Sequence, residues 1–262
     1  MKLTLGLAQT GYPADGDVLA QVETYAAKAA SNGADILAFP EALMCPRPLR
    51  ASELLKLAEP LDGPFMQAVS NAAARHGIWI VGAMYEANPN GAPYNTAFVV
   101  DSTGALCGTY RKCHLYDAHG VFESRRTSAG SALMKPVRTP FGMLALGICY
   151  DLRFPELARQ AAIDGADLLL LPACWYDGPQ KPEHWETLLR ARAIENELFV
   201  AGVCHAGSKF VEHSLVADPL GRIVTPHVQG ETLILARIDM STKRDARTNM
   251  PVFEHRRPEL YR

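Results

Sequence analysis

Short apolar runs rich in Val, Ile and Leu recur along the chain: "KLTLGLAQT", "ADILAFPE", "IWIVGAMYE", "NTAFVVD", "MLALGICYD", "DLLLLPACW", "LFVAGVCHA", "HSLVADPLG" and "TLILARID". Each is bounded by Gly, Pro, Asp or Asn, which predicts strands rather than buried helices. Four helical patterns lie between them. Residues 17–32 set Val18, Val22, Tyr25, Ala26 and Ala29 on one face, with Asp17 as N-cap and Gly33 as terminator. Residues 63–77 open on Pro64 and end on Gly77, residues 154–166 close at Gly165, and residues 182–197 form the fourth. The stretch "YNTAFVVDSTGALCGTYRK" differs, carrying two alternating runs around a Ser-Thr-Gly turn, which predicts a hairpin.

Strands that alternate with helices yet include a hairpin imply a mixed sheet, and runs apolar on both faces imply sheets covered on both sides. The fold class is α/β. No linker, repeat or low-complexity tract interrupts the pattern, so one domain is expected over residues 1–262, with a basic, Pro-bearing tail from about residue 240.

Charge removes one class of partner. With 26 basic and 28 acidic residues the formal net charge is -2, without the basic excess that neutralises phosphates, so no nucleic-acid partner is expected. The N-terminal "MKLTLGLAQT" is broken by Thr4 and Gln9 and reads as a first strand rather than a signal peptide. No run approaches the roughly 18 apolar residues of a membrane helix. The six cysteines are scattered and none forms a CxxC pair, which points to a reducing, cytoplasmic setting.

Three polar residues end apolar runs. Glu41 follows "ADILAFP", where a carboxylate shielded from water would be pushed toward a basicity useful in proton transfer. Lys112 ends the second hairpin strand. Cys149 closes "MLALGI" just before a helix, at the kind of strand-to-helix elbow where α/β folds bind ligands. Singly these read as an exposed loop acid, a solvated lysine and a buried filler thiol. Together they supply a base, a cation and a nucleophile, the parts needed for covalent acyl transfer.

The segments "FPEAL", "YRKCHLYD" and "GICYDLRFPELAR" resemble, in this order and at these spacings, the signature segments of the nitrilase or carbon–nitrogen hydrolase superfamily. The resemblance extends from "LGLAQT" to "RRPELY", and "CYDLRF" is similar to the branch of ω-amidases and deaminated-glutathione amidases. It implies a Glu-Lys-Cys catalytic set of Glu41, Lys112 and Cys149, with Glu123 of "GVFESRRTSAG" as a second glutamate. It also implies a four-layer α-β-β-α sandwich with two mixed sheets, paired into a homodimer or a higher homo-oligomer, needing neither cofactor nor metal. The expected reaction is hydrolysis of a small linear amide to acid and ammonia through a Cys149 thioester. Tyr150 would offer its backbone N–H to the oxyanion, and Trp175 would wall the pocket beside Cys174 and Tyr176. Arg153, four residues past the nucleophile, either clamps a substrate carboxylate, as in 2-oxoglutaramate, or forms a structural ion pair with Asp151 or Glu156.

Other readings stay open. Nitrilases and N-carbamoyl amide hydrolases share the same set, since pocket walls rather than the nucleophile choose the substrate. An acyltransferase with an amine in place of water is a further possibility, and a non-catalytic binding subunit would predict loss of one of the three residues. A metal hydrolase is disfavoured: no HExxH occurs, and adjacent Cys and His in "KCH" and "VCHA" would point to opposite faces of a strand.

Overall fold

The chain begins with an extended segment, β1 (Lys2–Gln9), followed by helix α1 (Val18–Ser31) and strand β2 (Ile36–Ala38). The structure, a computed structural model, describes residues 2–261. Two helices, α2 (Ala51–Leu57) and α3 (Pro64–His76), precede β3 (Trp79–Glu86), β4 (Tyr94–Val100) and β5 (Leu106–Arg111). A two-residue ladder, β6 (Asp117–Ala118) with β7 (Val121–Phe122), leads to β8 (Val137–Thr139), β9 (Gly142–Leu146) and α4 (Pro155–Ile163). The remainder alternates β10 (Leu168–Ala173), α5 (Lys181–Asn196), β11 (Phe199–Cys204), β12 (Leu215–Ala217), β13 (Thr232–Asp239) and α6 (Ser241–Asn249).

Both larger sheets are mixed. One runs β13-β1-β2-β3-β4-β5, its parallel centre β1-β2-β3 flanked by antiparallel β13 and the β4-β5 hairpin. The other runs β12-β11-β10-β9-β8, with β9, β10 and β11 parallel and antiparallel edges.

The twofold alternation of strand side chains sorts these residues into layers. Leu5, Leu7, Ile36, Ala38, Val81 and Val99 face the second sheet and pack with its residues in one core. Their neighbours Leu37, Ile80, Phe98 and Val100 face the other way, into a core with Val22, Ala26, Phe65 and Val69 of α1 and α3. On the far side α4 and α5 cover the second sheet, where Gly202 of β11 leaves the space that Trp185 fills. A Cβ there would stand 2.4 Å from the indole. The result is the expected four-layer α-β-β-α sandwich, each fully buried Leu, Val or Phe contributing about 1.5–3 kcal/mol.

The N-cap of α1 is Asp17, whose Oδ1 accepts the Ala20 N–H at 2.9 Å. One expectation needs correction. Strands β2 and β12 are three residues long rather than spanning their whole apolar runs. The chain leaves the ladder after Phe39, and Ala42 turns it with φ 59°. Helix α6 forms within the basic, Pro-bearing segment after residue 240, and α2 forms in a stretch that showed no pattern. Only Lys243 and Ala246 of α6 are buried, so no apolar stripe marks it.

Candidate active site

Glu41, Lys112 and Cys149 leave three different strand ends and meet in one cavity. β5 ends at Arg111 and delivers Lys112 directly. β9 ends at Leu146, and Cys149 then adopts φ 47°, a left-handed conformation uncommon for a side chain and concentrated at functional sites. Asp151 holds this bend in place. Its Oδ2 accepts the Ile148 N–H at 2.8 Å and the Tyr110 hydroxyl at 3.0 Å, and its Oδ1 accepts the His114 N–H at 3.2 Å. His114 also stacks on Phe154 at 3.7 Å, so the cysteine turn and the lysine segment are tied together twice.

The Lys112 ammonium is 2% exposed and lies between two carboxylates. It donates to Glu41 Oε1 at 2.9 Å, and to Glu123 Oε1 and Oε2 at 3.1 and 2.8 Å. Asn95 joins the two acids, donating to Glu41 Oε1 at 2.7 Å and to Glu123 Oε1 at 3.3 Å. Backbone donors complete the set: Cys174 N–H to Glu41 Oε2 at 2.8 Å, and Tyr116 N–H to Glu123 Oε2 at 2.8 Å.

A carboxylate offers about four acceptor positions. Glu123 accepts four hydrogen bonds from three groups, Lys112 giving two of them, and is saturated. Glu41 has three, and its open position is on Oε2. Of the two acids, Glu41 is the one able to accept a further proton, while Glu123 is occupied in holding Lys112.

Electrostatics sets the resting protonation. Burial opposes ionisation of Glu41, but the Lys112 charge and the donated hydrogen bonds outweigh it and hold its pKa below the ordinary 4.5. Burial likewise opposes the Lys112 charge, and Glu123 with Glu41 reverses this and holds it well above 10.5. Burial raises the Cys149 thiol well above 9.0; the Glu41 charge adds to the rise and Lys112 only partly offsets it. The free site thus contains carboxylates, an ammonium and a neutral thiol. Such a thiol becomes a nucleophile when a base removes its proton during attack.

The cavity around these groups measures about 110 Å³ and is also lined by Tyr150, Arg153 and Trp175, so every residue expected at the site reaches it. The ion pair of Arg153 with Asp151 or Glu156 does not form. Asp151 is fully buried and taken by the bonds above, and the Arg153 guanidinium instead lies over the Trp175 ring at 4.8 Å, with His184 Nδ1 at 3.4 Å. Trp175 is fixed by its indole N–H, which donates to the Lys181 carbonyl at 3.0 Å. Sequence reasoning missed Asn95, whose only signal was an amide inside the apolar run "NTAFVVD", and also Tyr12, Tyr85, Arg126 and Lys181 of the lining. Among the described residues, no group of three or more His, Cys, Asp or Glu is arranged to hold a metal.

An α-β-β-α sandwich with a thiol, a carboxylate and an ammonium at strand ends defines a class, and comparison with known proteins agrees with it. The profile of the carbon–nitrogen hydrolase family matches residues 4–248, and the chain belongs to that family. Human deaminated glutathione amidase is 39% identical over 225 residues, covering 80% of this chain and 68% of the relative. Omega-amidase NIT2 of Danio rerio is 32% identical over 254 residues, covering 94% and 91%. The crystal structure of the Caenorhabditis elegans NitFhit protein superposes with a TM-score of 0.91 at 32% identity, covering 100% of this chain and 66% of that one. The protein is accordingly a hydrolase of carbon–nitrogen bonds. No helix among its described residues is long and apolar enough to cross a membrane.

Proposed function

We propose that the protein hydrolyses a small linear amide carrying a carboxylate, with 2-oxoglutaramate as the representative substrate, through a thioester on Cys149. One observation carries the assignment of roles: Glu41 retains an open acceptor position beside a buried neutral thiol, whereas Glu123 does not.

Glu41 takes the thiol proton as sulfur forms its bond to the amide carbon, and the carbonyl electron pair moves onto oxygen. A proton on Glu41 weakens its attraction for Lys112, so the ammonium charge turns to the new oxyanion. The Tyr150 N–H, at the start of the 3-10 turn where backbone donors lack partners within the turn, adds a second donor. The site carries one net negative charge before and after this step, so no additional charge is buried. Collapse breaks the C–N bond, and the nitrogen leaves with the Glu41 proton. Water then gives a proton to Glu41 and its oxygen attacks the thioester; the C–S bond breaks, and sulfur recovers the proton as the acid departs.

Arg153 is free of any carboxylate among the described residues and lines the cavity, which supports the clamp on a substrate carboxylate. The relatives named deaminated glutathione amidase and omega-amidase support the same substrate class. Six free cysteines support a reducing cytoplasmic setting, and exposed Ile163 and Ile194 on the outer helices support a homodimer.

The test is an ammonia-release assay over amides, nitriles and carbamoyl compounds. Cys149→Ala is expected to lose more than about 10³-fold in kcat/KM with its fold intact, and hydrolysis at the wild-type rate would remove the scheme. Arg153→Met is expected to raise KM for carboxylate-bearing amides far more than for neutral ones; equal changes would refute the clamp.

A further inference from the structure

Helix α5 buries a charge among apolar and neutral side chains. Trp185, Leu189, Arg192, Ala193 and Asn196 are its buried residues, and Arg192 is 6% exposed. The carboxylate that pairs with it, Glu195 at 3.1 Å, lies on the same helix and is half-buried. That pair alone is a poor reason to bury a guanidinium, since an apolar side chain of similar volume avoids the desolvation cost.

The guanidinium reaches the turn of the nucleophile. Its Nε–H donates to the Leu152 carbonyl at 3.1 Å in a buried hydrogen bond. Leu152 belongs to the 3-10 turn Cys149–Arg153, and the chain that follows offers its carbonyl no donor. Phe154, extended at φ -105° and ψ 100°, carries the backbone out of the turn, and Pro155 comes next with no N–H. A buried carbonyl without a partner is costly, and Arg192 supplies the donor that the local sequence withholds.

The turn is thereby held at both ends. Asp151 accepts the Ile148 N–H where the turn begins, and Arg192 grips Leu152 where it closes. Cys149 and Tyr150 lie between these two points, with Cys149 in a left-handed conformation that persists only where its surroundings enforce it. The same helix also fixes the facing wall of the cavity. The Lys181 carbonyl, at its first residue, accepts the Trp175 indole N–H, and the Trp185 indole N–H donates to the His213 carbonyl at 2.6 Å. Helix α5 is thus the frame against which the nucleophile and the pocket wall are both set.

We infer that Arg192 is a positioning residue for the reaction. Its Nε–H, acting through the Leu152 carbonyl, holds the turn so that the Cys149 sulfur and the Tyr150 N–H keep their places during attack. The bond therefore contributes to kcat more than to substrate binding. This rests on the Cys149 role proposed above.

Two variants of the full-length protein isolate the bond. Glutamine carries its amide nitrogen at the same distance along the side chain as arginine Nε, whereas methionine carries a methyl carbon there. Arg192→Gln and Arg192→Met both lose the Glu195 pair and differ in the donor to Leu152. They are assayed on the amide that the wild type hydrolyses fastest in the screen above, at a temperature where circular dichroism shows each fully folded. Arg192→Met is expected to lose about tenfold or more in kcat, with a smaller change in KM, the size of one buried acceptor left unpaired. Arg192→Gln is expected to stay within about threefold of wild type, a difference that a purely structural role would not produce between two folded proteins. Wild-type kcat in Arg192→Met, or equal losses in both variants, overturns the inference. Where Arg192→Met is misfolded, Arg192→Gln decides alone, and a fall in its kcat of about tenfold overturns the inference. Hydrolysis persisting in Cys149→Ala would instead defeat the thioester, and the difference between the two Arg192 variants would still report on the Leu152 bond.

Discussion

Asn95 makes one side chain serve two acids, since its amide donates to both Glu41 and Glu123 from the second position of β4. A hydrogen bond to a charged group contributes about 1.5–3 kcal/mol, more than a neutral pair. Asn95→Leu keeps the volume and removes both bonds. We expect kcat/KM to fall about 10- to 100-fold, matching that energy. The pH profile gives a second readout: losing a donor to the ionised form raises the Glu41 pKa, so the acidic limb of kcat/KM moves to higher pH. An unmoved limb would show that Asn95 does not act on Glu41. The sequence reveals Glu41, Lys112 and Cys149 because each interrupts an apolar run at a strand end. Asn95 stays hidden for a physical reason: its role comes from a partner 54 positions away, Glu41, and a lone amide has no local signature.

At the level of elements, Asp151 couples two strand ends that the chain brings together only on folding. Its carboxylate accepts from Ile148 beside the nucleophile and from Tyr110 and His114 on either side of Lys112. Asp151→Ala leaves the buried Ile148 N–H and Tyr110 hydroxyl without an acceptor, at about 1–3 kcal/mol each. Urea unfolding should show a loss of about 3 kcal/mol or more, accompanied by a fall in kcat larger than any rise in KM. Asp151→Asn, which keeps one acceptor oxygen, should lie between the two; kcat at the wild-type level in Asp151→Ala would separate the clamp from catalysis. The elements legible in the sequence are β1 to β5, β9 to β13 and helices α1, α3, α4 and α5, whereas β6, β7 and β8 are two or three residues long and carry no apolar run. Helix α6 is held by Lys243, which donates to the Ala166 carbonyl at 2.7 Å and pairs with Asp167, so a buried cation replaces the apolar stripe that periodicity detects. Helix α2 buries a single leucine, Leu54, after a Pro-rich loop, and is too short to show a period.

Across the whole molecule, the four layers that exclude water from the site also make folding sensitive to the charges sealed there. Glu41 has an ordinary pKa of 4.5 and a lower one when folded, so the unfolded chain binds the proton first as pH falls. The stability it contributes is complete above about pH 4.5 and is lost as pH drops through the folded value. Lys112 behaves oppositely: raised above 10.5 in the fold, it contributes fully below that pH and is lost as pH rises through its folded value. Between these limits both hold, at about 1.4 kcal/mol for each unit of pKa difference. Glu41→Gln removes the acidic titration while keeping shape, so urea unfolding of this variant should lose less stability between pH 5.5 and pH 3.5 than the wild type does. Carboxylates distant from the site titrate in both proteins and cancel in the comparison. Equal losses would mean that the Glu41 charge contributes nothing to folding and that its low pKa serves only the reaction, where it keeps the carboxylate ionised and ready for the Cys149 proton.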